Sequence, residues 1–214
     1  MNDVIIRDFE EKDLSALKVL IVEAFGEGWN LRRFDQSEDY FQALLEVYQS
    51  MFLNSSTFGK VAMLGEKVVG AVLASAKGET EKFRLLQTDV APNTLALLAA
   101  PEAERQDIAE HLSVSFQTIG HLLESRVGAY DGSLEFIAVS TQAQGLKIGK
   151  TLWDEAATYF NSKNVKSVYL IVDSDCNFGF YDCNGFSKAD EKEAVYSYTT
   201  GQKISTVFVY EYKF

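Results

Sequence analysis

Short apolar runs alternate along the chain with longer segments whose apolar side chains recur at helical spacing. Residues 4–6 form an apolar run typical of a strand, and a helix is predicted to begin near Asp13. A second helical pattern covers about residues 37–52. Two further apolar runs, 61–64 and 68–74, are separated by three residues, which predicts an antiparallel hairpin.

Residues 77–130 separate this hairpin from the next strand pattern, and a structureless loop of that length is improbable inside a domain. We therefore expect helices there. Pro101 suits the first position of one helix, and Gly128 is a candidate for its end. This helix carries an apolar stripe at helical spacing, formed by Ile108, Leu112, Phe116, Ile119 and Leu123.

The last third of the chain contains the pattern of a βαβ unit. A strand over 134–139, a helix over about 145–162 and a strand over 168–172 follow one another. After a short helical turn near residues 177–184, two strands over 194–198 and 204–212 are joined through Thr200-Gly201-Gln202. The elements together predict an α/β protein.

Length and composition favour one soluble domain over the whole chain, residues 1–214. The composition is 47% hydrophobic, but no run approaches the roughly 18 apolar residues of a membrane-spanning helix. The first residues lack the features of a secretory signal, so we expect a cytoplasmic protein. A formal charge of −11 disfavours nucleic acids and anionic membranes as partners and favours cationic or neutral ones.

The two cysteines, Cys176 and Cys183, have no partner residues at metal-ligand spacing, so we expect buried free thiols and no metal. The two histidines, His111 and His121, lie in the region predicted to be inserted and fit no catalytic triad pattern. Surface or packing roles are expected for both.

The segment from Gln144 to Lys150 lies where the strand over 134–139 leads into the following helix. Amide hydrogens in the first turn of a helix lack intrahelical acceptors, and the helix dipole is positive there, so a pyrophosphate could bind. Lys147 and Lys150 would oppose that dipole unless an anion compensated them. Thr141 and Gln144 also match a capping box, which would satisfy the same amides without a ligand. Neither a P-loop nor a dinucleotide fingerprint is present.

A second motif follows one strand later, in Asn177-Phe178-Gly179-Phe180-Tyr181-Asp182-Cys183-Asn184-Gly185-Phe186. Gly185 suits a left-handed helix stop, which explains the glycine but not Tyr181. The two motifs resemble the acetyl-CoA signature and the Asn-x-x-Ala-x-x-Phe-Tyr-x-x-x-Gly-Phe block of the GNAT superfamily of acyl-CoA-dependent N-acetyltransferases. Gln144 and Gly149 match the ends of the family's Gln/Arg-x-x-Gly-x-Gly/Ala signature, whereas Lys147 replaces its central glycine. Ile6-Arg7, Asp13-Leu14 and residues 65–70 also resemble family elements.

The resemblance implies a mixed, mostly antiparallel central sheet of about seven strands flanked by helices, with a helical insertion at about 77–130 between the third and fourth strands. It also implies acetyl-CoA as acyl donor and transfer to a primary amine of a small molecule or peptide by direct attack in a ternary complex. A homodimer is one candidate assembly. Cofactor-binding positions implied by the family are Ile137, Ala138, Val139, Gln144, Gly145, Leu146, Lys147, Ile148, Gly149, Lys150, Asn177 and Phe180. A non-catalytic acyl-CoA sensor of the same fold is the alternative.

The resemblance assigns Tyr181 the role of proton donor to the departing thiolate, although an aromatic residue on a short helix is more often part of a core. Glu135 is the candidate general base, acting on the amine through water, and a solvated strand charge is the competing interpretation. The backbone amide of Val139 or a neighbour is an oxyanion donor if this strand separates from the strand over 168–172. Cys176 or Cys183 could support a ping-pong mechanism, but no neighbouring group in the sequence activates either thiol.

Acidic residues gather around the first interhelical loop, and they are Glu23, Glu27, Asp35, Glu38 and Asp39. They predict an acidic mouth that attracts an amine, and a solvated surface is the competing interpretation.

Overall fold

The computed structural model describes residues 4–26, 38–83, 97–126 and 128–214, and these form a seven-stranded sheet flanked by helices. The strands are β1 Val4–Asp8, β2 Phe58–Leu64, β3 Lys67–Ala76, β4 Gly132–Val139, β5 Ser167–Asp173, β6 Ser187–Tyr198 and β7 Gly201–Lys213. The helices are α1 Leu14–Phe25, α2 Glu38–Asn54, α3 Glu102–Glu124, α4 Ile148–Ser162 and α5 Gly179–Cys183, and short 3-10 turns cover Glu11–Asp13 and Thr141–Ala143.

The strands lie in the order β1-β2-β3-β4-β5-β7-β6. Every neighbouring pair is antiparallel except β4 and β5, which are parallel. The mixed, mostly antiparallel α/β fold predicted from the sequence is therefore confirmed. Helix α3 lies between β3 and β4 in the chain, where a helical insertion was expected.

Helices cover both faces of the sheet, because its strands bury apolar side chains on both sides. Helix α4 covers one face with Leu152, Ala156 and Phe160, all completely buried. On the other face, α1 and α2 pack over β2, β3 and β4, and α3 packs over β6 and β7. No helix in the described ranges is both long enough and apolar enough to cross a membrane.

The predicted boundaries of two helices are wrong, and left-handed residues explain the error at the start of α4. Helix α4 begins at Ile148 rather than near Gly145, because Gly145 and Lys147 have φ values of 82° and 59° that a right-handed helix cannot include. Helix α3 begins one residue after Pro101 and ends at Glu124, before Gly128.

The first strand and the first helix are held together by Arg7 and Asp13. The Arg7 guanidinium donates to both carboxylate oxygens of Asp13, at 2.6 and 2.7 Å, and the backbone N–H of Glu10 donates to the same carboxylate at 2.9 Å. Burial disfavours the charged carboxylate, but these hydrogen bonds outweigh it and leave the pKa of Asp13 lowered. The pair thus fixes the start of α1, whose other end reaches the candidate site.

Helix α3 contacts the β6–β7 hairpin through an apolar cluster around Leu122 and through several polar groups. Asp107 accepts hydrogen bonds from the backbone N–H and the hydroxyl of Thr199, at 2.6 and 2.9 Å. His111 pairs through Nδ1 with the Tyr198 hydroxyl at 2.7 Å and stacks on the ring of Tyr196. Helix α3 is therefore held on the hairpin by hydrogen bonds as well as by apolar packing.

Candidate active site

The parallel strands β4 and β5 separate soon after they begin to pair. They are in register only at Gly132 with Val168 and at Ser133 with Tyr169. Beyond these two pairs the strands diverge toward their carboxyl ends. The separation on which the predicted role of Val139 depended is therefore present, and the role of its amide as an oxyanion donor stays a prediction.

A β-bulge lies at the point where the separation begins. In the β3–β4 ladder Phe136 pairs with Leu73 and Leu134 with Ala74, which leaves Glu135 as an extra residue. Leu134 packs into the core beneath α4, whereas Phe136 packs into the core beneath α1 and α2. Residues two apart in a regular strand share a face, so the extra residue has reversed the alternation. The bulge also redirects the Glu135 side chain.

A cavity of about 310 Å³ opens where the two strands part. Its walls come from β4, β5, α2 and α3, and both predicted catalytic residues, Glu135 and Tyr181, line it. Small-molecule sites typically have volumes of about 300–1,000 Å³. The cavity is therefore large enough for a small substrate, and it places an acid and a base candidate around the same space.

Glu135 does not lie in bulk solvent. Its side chain is half-buried and accepts a hydrogen bond from the Ser133 hydroxyl. Burial raises the pKa of the Glu135 carboxyl, and hydrogen bonds from Ser133 and Ser55 oppose that effect only in part. The interpretation of Glu135 as a solvated strand charge is consequently wrong. A carboxylate with a raised pKa accepts a proton more readily than an exposed one.

Tyr181 is held by its neighbours on and after α5. Its ring makes edge contacts with Phe180 and Phe186, and its backbone carbonyl accepts from the N–H groups of Asn184 and Phe186. Gly185 has a φ of 85°, the left-handed stop that was predicted. Burial, with smaller contributions from Cys176 and Asp173, raises the pKa of Tyr181. The phenol is thus neutral at pH 7 and can donate a proton.

The two cysteines differ in environment. Cys176 is half-buried beside the cavity, where burial and the Asp173 carboxylate raise the pKa of its thiol to about 12. Cys183 is exposed, so the prediction that both thiols are buried is wrong for this one. A reactive cysteine needs a stabilised thiolate, and the surroundings of Cys176 do the opposite.

The first turn of α4 has backbone N–H groups available for a ligand. Helix α4 has no side-chain cap, and within the described ranges the N–H groups from Lys147 to Lys150 donate to no protein acceptor. The capping box predicted for Thr141 and Gln144 is wrong, because the 3-10 turn ends before α4 begins. Instead, the N–H of Thr141 donates to the Glu23 carboxylate at 2.9 Å.

Lys147 occupies a conformation that favours glycine. Its φ of 59° is left-handed, which costs about 1–2 kcal/mol for a residue with a side chain. The family signature places its central glycine at this position. Lys147 is exposed and forms no ion pair with any described residue, whereas Lys150 pairs with Asp154. The positive charge of Lys147, which is paired with no described residue, therefore lies beside the free amides and favours the binding of an anion there.

The two sequence motifs meet in space. A Cβ atom placed on Gly149 would lie 3.1 Å from Cε2 of Phe180, so the start of α4 and helix α5 are in close contact. Ile148 is buried in the core beneath this contact. The other predicted cofactor positions lie along the exposed loop or around it: Gln144, Gly145, Leu146, Lys150 and Asn177 are exposed, and Ile137, Ala138 and Val139 are half-buried on β4.

The predicted acidic mouth is only partly described. Glu27 and Asp35 lie outside the described residues, as does the side chain of Asp39. Glu23 accepts from Thr141 in the loop before α4, and Glu38 accepts from Gln42. The mouth stays a prediction.

The structure also adds to the candidate site residues that the sequence did not assign to it. His111, which was expected to have a surface or packing role, is buried, lines the cavity and has its pKa lowered to about 4 by burial and by Lys203, while His121 is exposed. Four residues of the apolar stripe on α3 also line the cavity: Leu112, Phe116, Ile119 and Leu123. The helical spacing of these four residues was visible in the sequence, but the sequence did not show that they face a cavity.

Solved structures with the same fold include several N-acetyltransferases. The PaiA N-acetyltransferase of Thermoplasma acidophilum, in complex with coenzyme A, is 16% identical with a TM-score of 0.53, and 99% of each chain is covered. A mutant agmatine N-acetyltransferase is 14% identical with a TM-score of 0.59, covering 99% of this chain and 100% of that one. The Drosophila melanogaster polyamine N-acetyltransferase is 13% identical with a TM-score of 0.57 and the same coverage.

No curated protein sequence matches the chain. A family model described as the acetyltransferase (GNAT) family matches residues 15–186, which include most of α1, the bulged strand β4, the loop before α4 and the Tyr181 motif. The match covers most of the chain, and its fold is the one observed here. The chain therefore belongs to the GNAT family of acetyltransferases.

Proposed function

We propose that the protein transfers the acetyl group of acetyl-CoA to a primary amine of a small molecule or peptide, by direct attack in a ternary complex. The observation that carries this proposal is the presence of Glu135 and Tyr181 around one cavity, at the separation of β4 and β5. Glu135 is suited to accept a proton, and Tyr181 is suited to donate one. The location of this chemistry is proposed to be the cytoplasm.

The residues at the start of α4 fit the pyrophosphate of the donor. The N–H groups of Lys147 to Lys150 have no protein acceptor, Lys147 adds a positive charge, and the helix dipole acts in the same sense. Gly149 and Phe180 position this turn against α5, and Asn177 is proposed to lie beside the pantetheine arm. When bound, the donor supplies an activated thioester carbonyl.

Groups of this chain then transfer protons to and from the reactants and stabilise the negative charge that develops on the carbonyl oxygen. Glu135 removes a proton from the acceptor ammonium through water, which frees the nitrogen lone pair for attack on the thioester carbon. The N–H of Val139 or a neighbour stabilises the oxyanion that forms. The C–S bond breaks, and Tyr181 supplies the proton that the departing thiolate takes up. The attacking nitrogen gives up its second proton as the amide forms, and this proton returns to Tyr181 through water, which restores the phenol. The raised pKa of the Cys176 thiol supports attack by the amine itself rather than by a cysteine.

Two structural neighbours are an agmatine N-acetyltransferase and a polyamine N-acetyltransferase, and agmatine and polyamines carry primary amines. These relatives support an amine as the acceptor class. The formal charge of −11 is also compatible with a cationic acceptor.

A thermal-shift titration with acetyl-CoA and with CoA, followed by thiol release across a panel of primary amines, tests the proposal. We expect stabilisation by both ligands and amine-dependent thiol release. The left-handed Lys147 in place of glycine favours one alternative, a sensor that binds acyl-CoA without transfer. Stabilisation without turnover would support the sensor, and no stabilisation by either ligand would contradict both.

A further inference from the structure

The cavity beside Glu135 is walled mainly by apolar side chains. Helix α3 directs Leu112, Phe116, Ile119 and Leu123 into it, and α2 contributes Met51 and Phe52. An apolar stripe of this kind usually packs against the core of a protein. Here the stripe is only partly covered: Ile119 and Leu123 touch the cluster on the β6–β7 hairpin and Leu112 touches the core beneath α1 and α2. The same three residues and Phe116 also line the cavity, so part of the stripe faces a space large enough for a ligand.

Two of these wall residues expose apolar surface. Phe116 is 54% exposed and Met51 is 38% exposed, although both line the cavity. Large apolar side chains gain stability when a partner removes them from water. A ligand with an apolar body would supply that partner within the cavity itself.

Charged groups are few on the same walls. Among the described residues that line the cavity, Glu135 and Asp173 are the acids, and neither lysine nor arginine is present. The Asp173 carboxylate already accepts a hydrogen bond from the backbone N–H of Asp175 at 3.0 Å. His111 is largely buried in its stack of tyrosines. Glu135 can thus match one amine, whereas a further cation held against α3 would have no ionic partner there, because the described α3 residues that line the cavity include no acidic side chain.

We infer that the acceptor is a primary amine carried on a single apolar body, an arylalkyl or alkyl monoamine, with its nitrogen at Glu135 and its body against the α3 stripe around Phe116. This inference rests on the proposed function and narrows its acceptor class. It separates this chain from enzymes whose acceptors are extended polycations.

Acetyl-CoA-dependent thiol release, measured with 2-phenylethylamine and hexylamine against agmatine and spermidine, tests the acceptor class directly. We expect kcat/KM for the two apolar monoamines to exceed that for the two polycations by about 10-fold or more, as expected when a buried cation lacks a partner. Higher kcat/KM for agmatine or spermidine would overturn the inference and leave the proposed function intact. Turnover of none of the four amines would contradict the proposed function itself.

The Phe116→Ala variant tests whether the α3 side of the cavity binds the apolar body of the acceptor. Phe116 is more than half exposed, so its truncation should leave the fold intact, while KM for 2-phenylethylamine should rise about 5-fold or more with little change in kcat. Ile204→Ala is the matched control, because Ile204 is 60% exposed on β7 and does not line the cavity. An unchanged KM in Phe116→Ala, or an equal rise in Ile204→Ala, would overturn the assignment of this wall to the acceptor.

Discussion

The ring of Phe180 lies so close to Gly149 that a Cβ atom on Gly149 would be 3.1 Å from Cε2 of the ring. The contact joins the first turn of α4 to α5, and hence the proposed pyrophosphate site to the helix that carries Tyr181. A methyl group at position 149 would require the Phe180 ring to move by a few tenths of an ångström.

The Gly149→Ala variant should therefore bind the donor less well. Overpacking costs about 1–3 kcal/mol, which corresponds to a rise in KM for acetyl-CoA of about 5-fold or more. Gly120→Ala on α3 is the matched control, since a Cβ atom there meets no other atom within 4 Å, and alanine should slightly stabilise the helix. A normal KM for acetyl-CoA in Gly149→Ala would show that the contact does not position the donor site.

Replacement of Tyr181 by phenylalanine should remove the proposed proton donor and leave the ring packing in place. We expect kcat to fall by about 10- to 1,000-fold, in the range that general acid catalysis contributes, with the Kd for CoA unchanged. Tyr210→Phe is a suitable control because its ring is 5.7 Å from that of Tyr181, yet it does not line the cavity. A Tyr181→Phe enzyme with near-normal kcat would remove this residue from the mechanism.

Glu135→Gln should separate catalysis from stability. The folded-state pKa of Glu135 is raised by burial, so the folded protein binds its proton more tightly than the unfolded chain does. The ionised carboxylate therefore destabilises the fold above that pKa, and the cost disappears as the pH falls through it. We expect Glu135→Gln to have a higher Tm than the wild type at pH 7 and a Tm advantage that shrinks on acidification.

The same variant should lose activity. In the wild type, kcat/KM should fall as the pH drops through the raised pKa of Glu135, and Glu135→Gln should lack this acid limb and have lower kcat throughout. Glu193→Gln, at an exposed position on β6, serves as the control for loss of a charge. Equal Tm values for wild type and Glu135→Gln across the pH range would contradict the desolvated state of the carboxylate.

Glu23 should affect donor binding although it lies on α1. Its carboxylate accepts from the Thr141 N–H at 2.9 Å, and a hydrogen bond to a charged group contributes about 1.5–3 kcal/mol in favourable settings and less at an exposed site. Glu23→Ala should raise KM for acetyl-CoA by about 3- to 10-fold through a looser loop before α4. Glu23→Gln retains an acceptor oxygen and should recover most of the loss. Equal KM values in both variants and the wild type would show that the hydrogen bond is dispensable.

Periodicity was sufficient to predict that these strands and helices exist and in which order they follow along the chain, because burial on one or two faces sets the spacing of apolar residues. It predicted only residues 194–198 of β6, because the first half of that strand carries mostly exposed side chains. The left-handed conformation of Gly185 was also predictable, because glycine adopts this conformation without strain. The start of α4 was not predictable, because Lys147 adopts a left-handed conformation that its residue type does not indicate. The α3 stripe had a clear helical period, but periodicity cannot show whether a face meets the core or a cavity.

The bulge at Glu135 makes the length of β4 as important as its composition. With one residue fewer between Leu134 and Phe136, these two residues would be consecutive in a regular strand, would keep the opposite faces that they occupy now, and would pair with β3 without a bulge. Nothing would then turn β4 away from β5, and continued pairing would close the cavity. This segment should therefore tolerate many conservative substitutions but no single-residue deletion, and relatives that share the site should keep its residue count where they do not keep its residues.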